Sequence, residues 1–281
     1  MSDTVIDTFQ RSETSSLAWS RSLLALKDLG DGWRRSWLWL ALARQDIRLK
    51  YRGSLLGPLW LTISTGIMIG SMGFLYAKIF NSDPATYLPF LTVGLVMWNF
   101  IAGLITEGCM TFTGAGNVVH AVPLPYSIHV YRLVTRNVIV LAHNVLIFPV
   151  VLSLFKVVPN ADVLLIPIAL VLLIINGVWL SFLFGMISAR FRDVPPIVAS
   201  FVQVVFFVTP IFFTPGALGR WAFVGQLNPF FAAIDIVRAP IMGQPFAPYS
   251  WSIVLCVTVL GSLGTFLVFA RFRSRIPFWV S

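Results

Sequence analysis

Six apolar segments, separated by short polar or proline-containing stretches, constrain this chain more than any other feature of its sequence. They lie at about residues 58–78, 88–106, 130–155, 163–189, 196–213 and 251–270. A helix needs about 20 mainly apolar residues to cross the hydrocarbon core of a bilayer. The pattern therefore predicts an all-α membrane protein with six transmembrane helices.

Composition supports a chain that is solvated by lipid. Hydrophobic residues make up 57% of the sequence, charged residues make up 11%, and the mean hydropathy is +0.84. A soluble domain needs more polar surface than this. The net charge of +9 does not indicate nucleic acid binding, because the basic residues gather before residue 58 and at the ends of apolar segments. That placement is typical of membrane topology and of contact with lipid headgroups.

The N-terminal region is predicted to have two parts. Residues 1–32 are polar and predict a disordered cytoplasmic tail, whereas 33–57 predict an amphipathic interfacial helix whose apolar core, 37–43, is too short to span. Glycines at 53 and 57 are expected to end this helix before the domain at 58–281 begins. Its basic residues are candidate contacts for lipid headgroups or for a diphosphate: Arg44, Arg48, Lys50 and Arg52.

The distribution of basic residues predicts the orientation. With the N-terminus inside, sixteen Lys and Arg residues lie on the cytoplasmic side and four lie on the other side. The positive-inside rule therefore places both termini of a multi-pass membrane protein in the cytoplasm.

The stretch at 214–250 is apolar, but glycines and prolines divide it into pieces too short to cross. It predicts short re-entrant or interfacial helices before the last span. Asn228 followed by Pro229 predicts the start of one of these helices. Asp235 and Arg238 are three residues apart on it, and we favour a structural ion pair over a contact with substrate.

The sequence lacks the motifs of an energy-converting enzyme. It has no glycine-rich phosphate loop with a lysine, no metal-binding motif, and no acidic residue in the middle of a predicted span. His143 is the titratable residue predicted to lie deepest, and packing between helices is the favoured role for it over proton transfer. We therefore expect no enzyme activity, metal or cofactor in this chain, and a source of transport energy outside it.

Motifs spread along residues 40–280 resemble those of ABC-2 type permeases that export polysaccharides. The clearest are the run at 44–60 and shorter motifs that follow it in order: EGC at 107–109, VPLP at 122–125, HVYR at 129–132, AHN at 142–144, SARFRDVP at 188–195, TPI at 209–211, LNPF at 227–230 and RAP at 238–240. The VPLP, HVYR and AHN motifs are most similar to the O-antigen branch.

The resemblance implies a homodimer of six-span subunits bound to two copies of a cytoplasmic ATPase, which would hold ATP and Mg. It also implies that the loop at 107–126 couples this chain to the ATPase. The loop contains residues that suit such a segment: Glu107, Gly114, Gly116, Pro123 and Pro125.

The implied substrate is a polysaccharide on an undecaprenyl diphosphate carrier. The polysaccharide is too long for a closed pocket and would need a continuous channel. Aromatic rings suit the apolar faces of sugars, and the candidates for a channel wall are Trp60, Trp98, Phe206, Phe207, Phe212 and Phe213. The short helices with Asn228, Pro229, Asp235 and Arg238 are the candidate outer gate.

The sequence leaves other functions open. An ABC-2 permease for capsule, teichoic acid, a drug or a lipid would share the topology and the missing phosphate loop. A membrane-embedded glycosyltransferase or acyltransferase would need catalytic residues near headgroup level, and a non-transporting assembly protein would leave the ordered motifs unexplained.

Overall fold

The computed structural model describes residues 20–57, 59–115 and 124–280, apart from the side chains of 217 and 218. These residues form helices and no strand. The α-helices are α1 (20–34), α2 (Ser36–Lys50), α3 (Leu59–Ile79), α4 (Pro84–Gly108), α5 (Ser127–Val145), α6 (Ile147–Leu154), α7 (Ile166–Arg190), α8 (Val194–Val208), α9 (Ala222–Leu227), α10 (Pro229–Ile241), α11 (Ser250–Phe272) and α12 (Ile276–Trp279). Short 3-10 turns lie at Thr113–Ala115, Ala161–Leu165, Pro215–Trp221 and Arg273–Arg275.

Five continuous helical stretches are long and apolar enough to cross a membrane. They are Leu59–Ile79, Pro84–Gly108, Ser127–Leu154, Ala161–Arg190 and Ser250–Trp279. They coincide with the predicted segments except the one at 196–213, so the multi-pass, all-helical prediction is confirmed.

The segment predicted at 196–213 forms only the 15-residue helix α8. At 1.5 Å per residue α8 is about 22 Å long, which is less than the roughly 30 Å of a hydrocarbon core. Pro210 explains the early end, because a residue before proline is pushed out of the helical region, and Thr209 has extended dihedral angles. A sixth crossing therefore requires the non-helical residues that follow α8.

Helix α4 lies at the centre of the bundle. In its most apolar stretch, 78% of the residues are buried, compared with 11% in α3. It contacts α3, α5, α6, α7, α8 and α10. Its first turn is well capped, because Asp83 Oδ1 accepts a hydrogen bond of 3.0 Å from the amide of Ala85 and Pro84 occupies the first helical position.

The described part of the predicted disordered tail is helical, which corrects the prediction for residues 20–32. Helix α1 has few local reasons to be stable, but it docks on the start of α5. Asp28 is 2% exposed, and its carboxylate accepts hydrogen bonds from the amides of Tyr126 and Ser127. Tertiary contact thus orders a segment whose polar composition predicted disorder. Residues 1–19 lie outside the described part of the chain.

The predicted interfacial helix at 33–57 is also shorter than expected. The helical chain breaks at Arg35, and α2 ends at Lys50. Gly53 and Gly57 have positive φ angles of 81° and 54° in the turns that follow, which is why glycine suits both positions. The chain is non-helical at both glycines, but the helix ends before either of them.

Candidate functional site

Helix α2 packs on the bundle through a narrow buried face. Ala43 and Ile47 are buried, whereas Trp37 is 69% exposed. The four basic residues predicted to contact headgroups are all exposed: Arg44, Arg48, Lys50 and Arg52. The structure therefore leaves these four cations accessible, and their role as headgroup or diphosphate contacts stays a prediction.

Asp46, on the same helix, is bound by two arginines of α5. Arg132 holds its carboxylate in a two-pronged ion pair in which Nε lies 2.7 Å from Oδ2, and Nη2 contacts Oδ1. Arg136 Nη1 lies 3.4 Å from Asp46 Oδ2. The two arginines are four residues apart, so they lie on one face of α5 and reach the same carboxylate.

Arg136 extends this network to the end of α4. Its Nη2 lies 2.8 Å from Glu107 Oε2, which also accepts a hydrogen bond of 2.7 Å from the side-chain amide of Asn137. Glu107 begins the loop predicted to meet the ATPase. We call Asp46, Glu107, Arg132 and Arg136 the charged end, and it links that loop to α2 through α5.

A cavity of about 210 Å³ lies beside the charged end and is lined by all four of its residues. The buried His129 lines it as well, and its Nδ1 has no hydrogen-bond partner within the described residues. Burial raises the pKa of the nearby Tyr51 phenol, and the negative charge of Glu107 adds to that rise. Ionisation of the Tyr51 phenol is thus disfavoured near the Glu107 carboxylate.

The loop at 107–126 is anchored by a residue that sequence reasoning missed. Phe112 is fully buried, and its ring lies 6.3 Å from Phe182 of α7 and 6.2 Å from Tyr126. Gly114 lies in a 3-10 turn, where an added Cβ would meet no atom within 4 Å in the described part of the chain. Pro125 is among the described residues, whereas Gly116 and Pro123 lie outside them.

Five of the six predicted channel aromatics form one connected cluster. Trp98 lies 5.7 Å from Phe206, which contacts Phe207 at 5.2 Å and Phe212 at 5.7 Å, and Phe213 lies 5.2 Å from Phe212. These distances are typical of packed rings.

Trp60 does not belong to this cluster, because it lies at the start of α3 and is half exposed. We call Tyr87, Phe206, Phe207, Phe212, Phe213 and Arg238 the aromatic end, because Tyr87 and Arg238 hold the backbone beside these rings. Whether these rings line a channel stays a prediction.

The non-helical residues after α8 are held by two side chains of the aromatic end, Tyr87 and Arg238. The Tyr87 hydroxyl donates a hydrogen bond of 2.6 Å to the carbonyl of Phe212. Arg238 Nη1 donates one of 3.2 Å to the carbonyl of Pro210, and the Arg238 guanidinium lies 4.0 Å from the centre of the Phe90 ring. Irregular backbone at membrane depth requires such internal partners.

The residues predicted as an outer gate are placed as follows. Asn228 caps α10 by accepting hydrogen bonds from the amides of Phe230 and Phe231, and Pro229 is the first residue of that helix, as predicted. The predicted pairing of Asp235 with Arg238 is wrong in the described structure, because each side chain binds elsewhere.

Asp235 holds the segment that leads into α11. Its Oδ2 accepts hydrogen bonds of 2.8 Å from the amide of Ala247 and 2.7 Å from the hydroxyl of Ser250. Three of the four candidate gate residues therefore hold backbone elements in place, and action as a gate stays a prediction. Among the described residues, no group of His, Cys, Asp and Glu is arranged to hold a metal ion.

Comparisons with known proteins agree with this architecture. The family model described as ABC-2 type transporter matches residues 38–242. The chain is 24% identical over 179 residues to the O-antigen export system permease protein RfbA of Myxococcus xanthus, covering 63% of this chain and 68% of that protein. It is 21% identical over 199 residues to a protein of the same name from Klebsiella pneumoniae, covering 70% and 77%.

The matched region contains most of the elements described above, from α2 through the charged end and the aromatic end to α10. Proteins of this family are membrane subunits of transporters, and the five apolar helical stretches fit that role. The chain therefore belongs to the ABC-2 type transporter family.

Proposed function

We propose that this chain is the membrane permease of an ABC exporter that moves an O-antigen-type polysaccharide across the bacterial inner membrane on an undecaprenyl diphosphate carrier. The observation that carries the proposal is the similarity to three permeases named for O-antigen export, each covering at least 63% of this chain. A capsule, teichoic acid, drug or lipid exporter is the alternative within the same family.

The energy would come from two copies of a separate ATPase that binds ATP and Mg. The sequence has no phosphate loop of its own. The loop at 107–126 would dock on the ATPase, and Glu107 would pass its displacement through Arg136 to Asp46 on α2. An ion-paired route of this kind gives a physical connection between the loop and the membrane surface.

The carrier diphosphate would contact the exposed cations of α2. Arginine donates paired hydrogen bonds to phosphate oxygens, which suits a diphosphate that must leave water. Arg44, Arg48, Lys50 and Arg52 are free to make such contacts, since the charged end uses the arginines of α5 instead.

A second copy of this chain would complete the channel. Helix α3 is mostly exposed, and an added Cβ at Gly66 or Gly70 would meet no atom of the described residues within 4 Å, whereas one at Gly73 would meet Leu88 at 2.8 Å. Small residues allow close approach of another helix in a membrane. In this arrangement α8, together with the residues after it, supplies the sixth crossing, and α9 with the preceding turn lies at the outer mouth.

Orientation follows from the position of the termini in this proposal. Asp28 near the N-terminus, Tyr126 at the end of the loop and Arg273 near the C-terminus contact one another. With the loop on the ATPase, both termini are cytoplasmic.

The test is a deletion strain combined with reconstitution. Loss of the chain should leave carrier-linked glycan on the cytoplasmic side and none at the cell surface. In lipid vesicles, the purified permease and ATPase together should export that glycan with ATP. Export by the permease without any ATPase contradicts the proposal, and export of a different substrate with none of the glycan favours the alternative.

A further inference from the structure

Helix α1 lies outside the region that matches the family, yet it makes a specific contact inside it. The Asp28 side chain has no exposed surface. Its Oδ1 accepts a hydrogen bond of 3.0 Å from the amide of Ser127, and its Oδ2 accepts one of 3.2 Å from the amide of Tyr126. These are the amides at the start of α5, where no residue of α5 itself provides a side-chain cap. A carboxylate from another helix therefore caps α5, where the helix dipole favours negative charge.

The fit around this contact is close. The Ser127 hydroxyl donates a hydrogen bond of 2.7 Å to the carbonyl of Asp28, and the Tyr131 hydroxyl donates one of 3.2 Å to the carbonyl of Leu29. At Gly32, an added Cβ would lie 2.1 Å from the Ser127 oxygen, so a side chain there would push α1 away from α5. Docking thus depends on Asp28 for its polar contacts and on Gly32 for its close approach.

Arg273 brings the C-terminal region to the same point. Its Nε lies 3.0 Å from Asp28 Oδ2, and its guanidinium lies 5.6 Å from the centre of the Tyr126 ring. Like α1, Arg273 lies outside the matched residues 38–242. One buried carboxylate therefore joins α1, the end of the loop, the start of α5 and the segment after α11. We call Asp28, Tyr126, Ser127 and Arg273 the terminal clamp.

The terminal clamp lies close to the charged end, on the same helix. Ser127 lies five residues before Arg132 and nine before Arg136, so the clamp and the charged end are neighbouring turns of one helix. Helix α1 continues through the break at Arg35 into α2, which carries Asp46. Helices α1, α2 and α5 are thus joined at two points, at Asp28 and at Asp46.

We propose that Asp28 is a positioning residue of the transport cycle, which holds both terminal segments to the end of the coupling loop so that they move with α5 as one unit. This inference rests on the proposed function, because it takes the loop at 107–126 to be the place where the ATPase acts. Without the Asp28 carboxylate, loop movement reaches α5 but is not passed on to α1 and the C-terminal segment.

The first experiment measures docking by hydrogen exchange, on the permease–ATPase complex in lipid nanodiscs. Asp28→Asn removes the charge and keeps the shape. Asp31→Asn makes the same change at a half-buried carboxylate one turn along α1 and is the matched control. Loss of a buried charged hydrogen bond shifts an opening equilibrium by about tenfold or more. We expect amides in 20–34 and 124–131 to exchange about tenfold faster in Asp28→Asn, with no change in Asp31→Asn. Equal rates in Asp28→Asn and wild type overturn the inference.

The second experiment measures coupling, as glycan exported per ATP hydrolysed by the reconstituted complex. We expect Asp28→Asn to keep the ATP hydrolysis of the assembled complex and to lower export per ATP severalfold, with Asp31→Asn like wild type. If Asp28→Asn loses hydrolysis and export in proportion to the amount of assembled complex, the carboxylate only supports folding and the positioning role is wrong.

Failure of the proposed function looks different, because then the wild-type complex exports no glycan with ATP. In that case hydrogen exchange with and without trapped nucleotide decides the inference. The inference is supported if nucleotide changes the exchange rates of 20–34 and 124–131 together in the wild type, but only those of 124–131 in Asp28→Asn. It is overturned if nucleotide changes the exchange rates of 124–131 alone in the wild type.

Discussion

The two ends of helix α4 hold their polar groups in different ways. At the charged end, Glu107 belongs to a network of ionised side chains that remain partly in contact with water, with 12% to 37% of each side-chain surface exposed. At the aromatic end, about 30 Å away along the helix, the groups to be satisfied are main-chain carbonyls. They are held by Tyr87, which is 7% exposed, and by Arg238, which is 4% exposed.

This difference in exposure and charge determines which end can move. Ion pairs near water are weakened by salt and by competing ligands, so the charged end can rearrange at a small free-energy cost. Unpaired carbonyl groups inside a membrane cannot accept hydrogen bonds from water, so the aromatic end must keep its contacts. We therefore expect movement at the charged end and rigidity around Pro210 at the aromatic end.

Replacement of Arg238 should lower the stability of the protein the most. Replacing it with Leu leaves the Pro210 carbonyl without its donor and removes the cation from the Phe90 ring, at a cost of about 3–4 kcal/mol in the free energy of unfolding. The measurement is the thermal midpoint of the purified protein, together with its yield. Arg220→Leu is the control, because Arg220 is exposed. A midpoint for Arg238→Leu equal to that of the control contradicts the rigid role of the aromatic end.

The ion pair between Asp46 and Arg132 should have the next largest effect. A double-mutant cycle with Asp46→Ala and Arg132→Ala should give a coupling free energy of about 1.5–2 kcal/mol, because two parallel charged hydrogen bonds are lost. Since the pair is partly exposed, the coupling should fall when salt rises from 0.05 M to 0.5 M, roughly as Debye screening predicts.

Arg132→Lys is the matched control for this cycle, because it keeps the charge but not the two-pronged geometry. It should retain about half of the coupling. A coupling free energy that does not depend on salt places this pair in the same class as the aromatic end and removes the contrast between the two ends.

Replacement of the exposed cations of α2 tests whether this helix, which is ion-paired to the charged end, acts on the substrate at the membrane surface. The triple change Arg44→Ala, Arg48→Ala and Arg52→Ala should lower export at least tenfold without lowering the amount of protein in the membrane, since three cations at about 1 kcal/mol each contribute about 3 kcal/mol to headgroup binding. The same three positions changed to Lys are the control and should keep most of the export. If the alanine variant exports normally, the cations of α2 do not act in export and the helix only anchors the chain to the membrane.

Local patterns in the sequence predicted the parts of the fold that local physics decides. Hydropathy placed five spans, and Asn228 with Pro229 marked the start of α10. Both signals depend on neighbouring residues, so one sequence suffices to detect them. The early end of α8 also had a local cause in Pro210, but the apolar residues beyond it obscured that signal.

Contacts between distant residues were not predictable in the same way. Asp28 is 99 residues from Ser127, and Asp46 is 86 residues from Arg132. Neither carboxylate has a local partner that marks it, so α1 was predicted to be disordered and Asp46 was passed over in favour of the basic residues around it. Such contacts follow from how the helices pack, which periodicity does not determine.

Loss of the Tyr87 hydroxyl at the aromatic end should lower stability only slightly. Tyr87→Phe removes the hydroxyl that donates to the Phe212 carbonyl and leaves the ring in place among its neighbours. The cost should be about 1 kcal/mol, or a thermal midpoint lower by roughly 2–3 °C. Tyr249→Phe removes a hydroxyl from a side chain that is 70% exposed and should change nothing. Because the Tyr87 contact is neutral and buried, its loss should be the same at 0.05 M and 0.5 M salt. If the loss instead shrinks with salt, the hydroxyl is reached by water and the aromatic end is less closed than Arg238 implies.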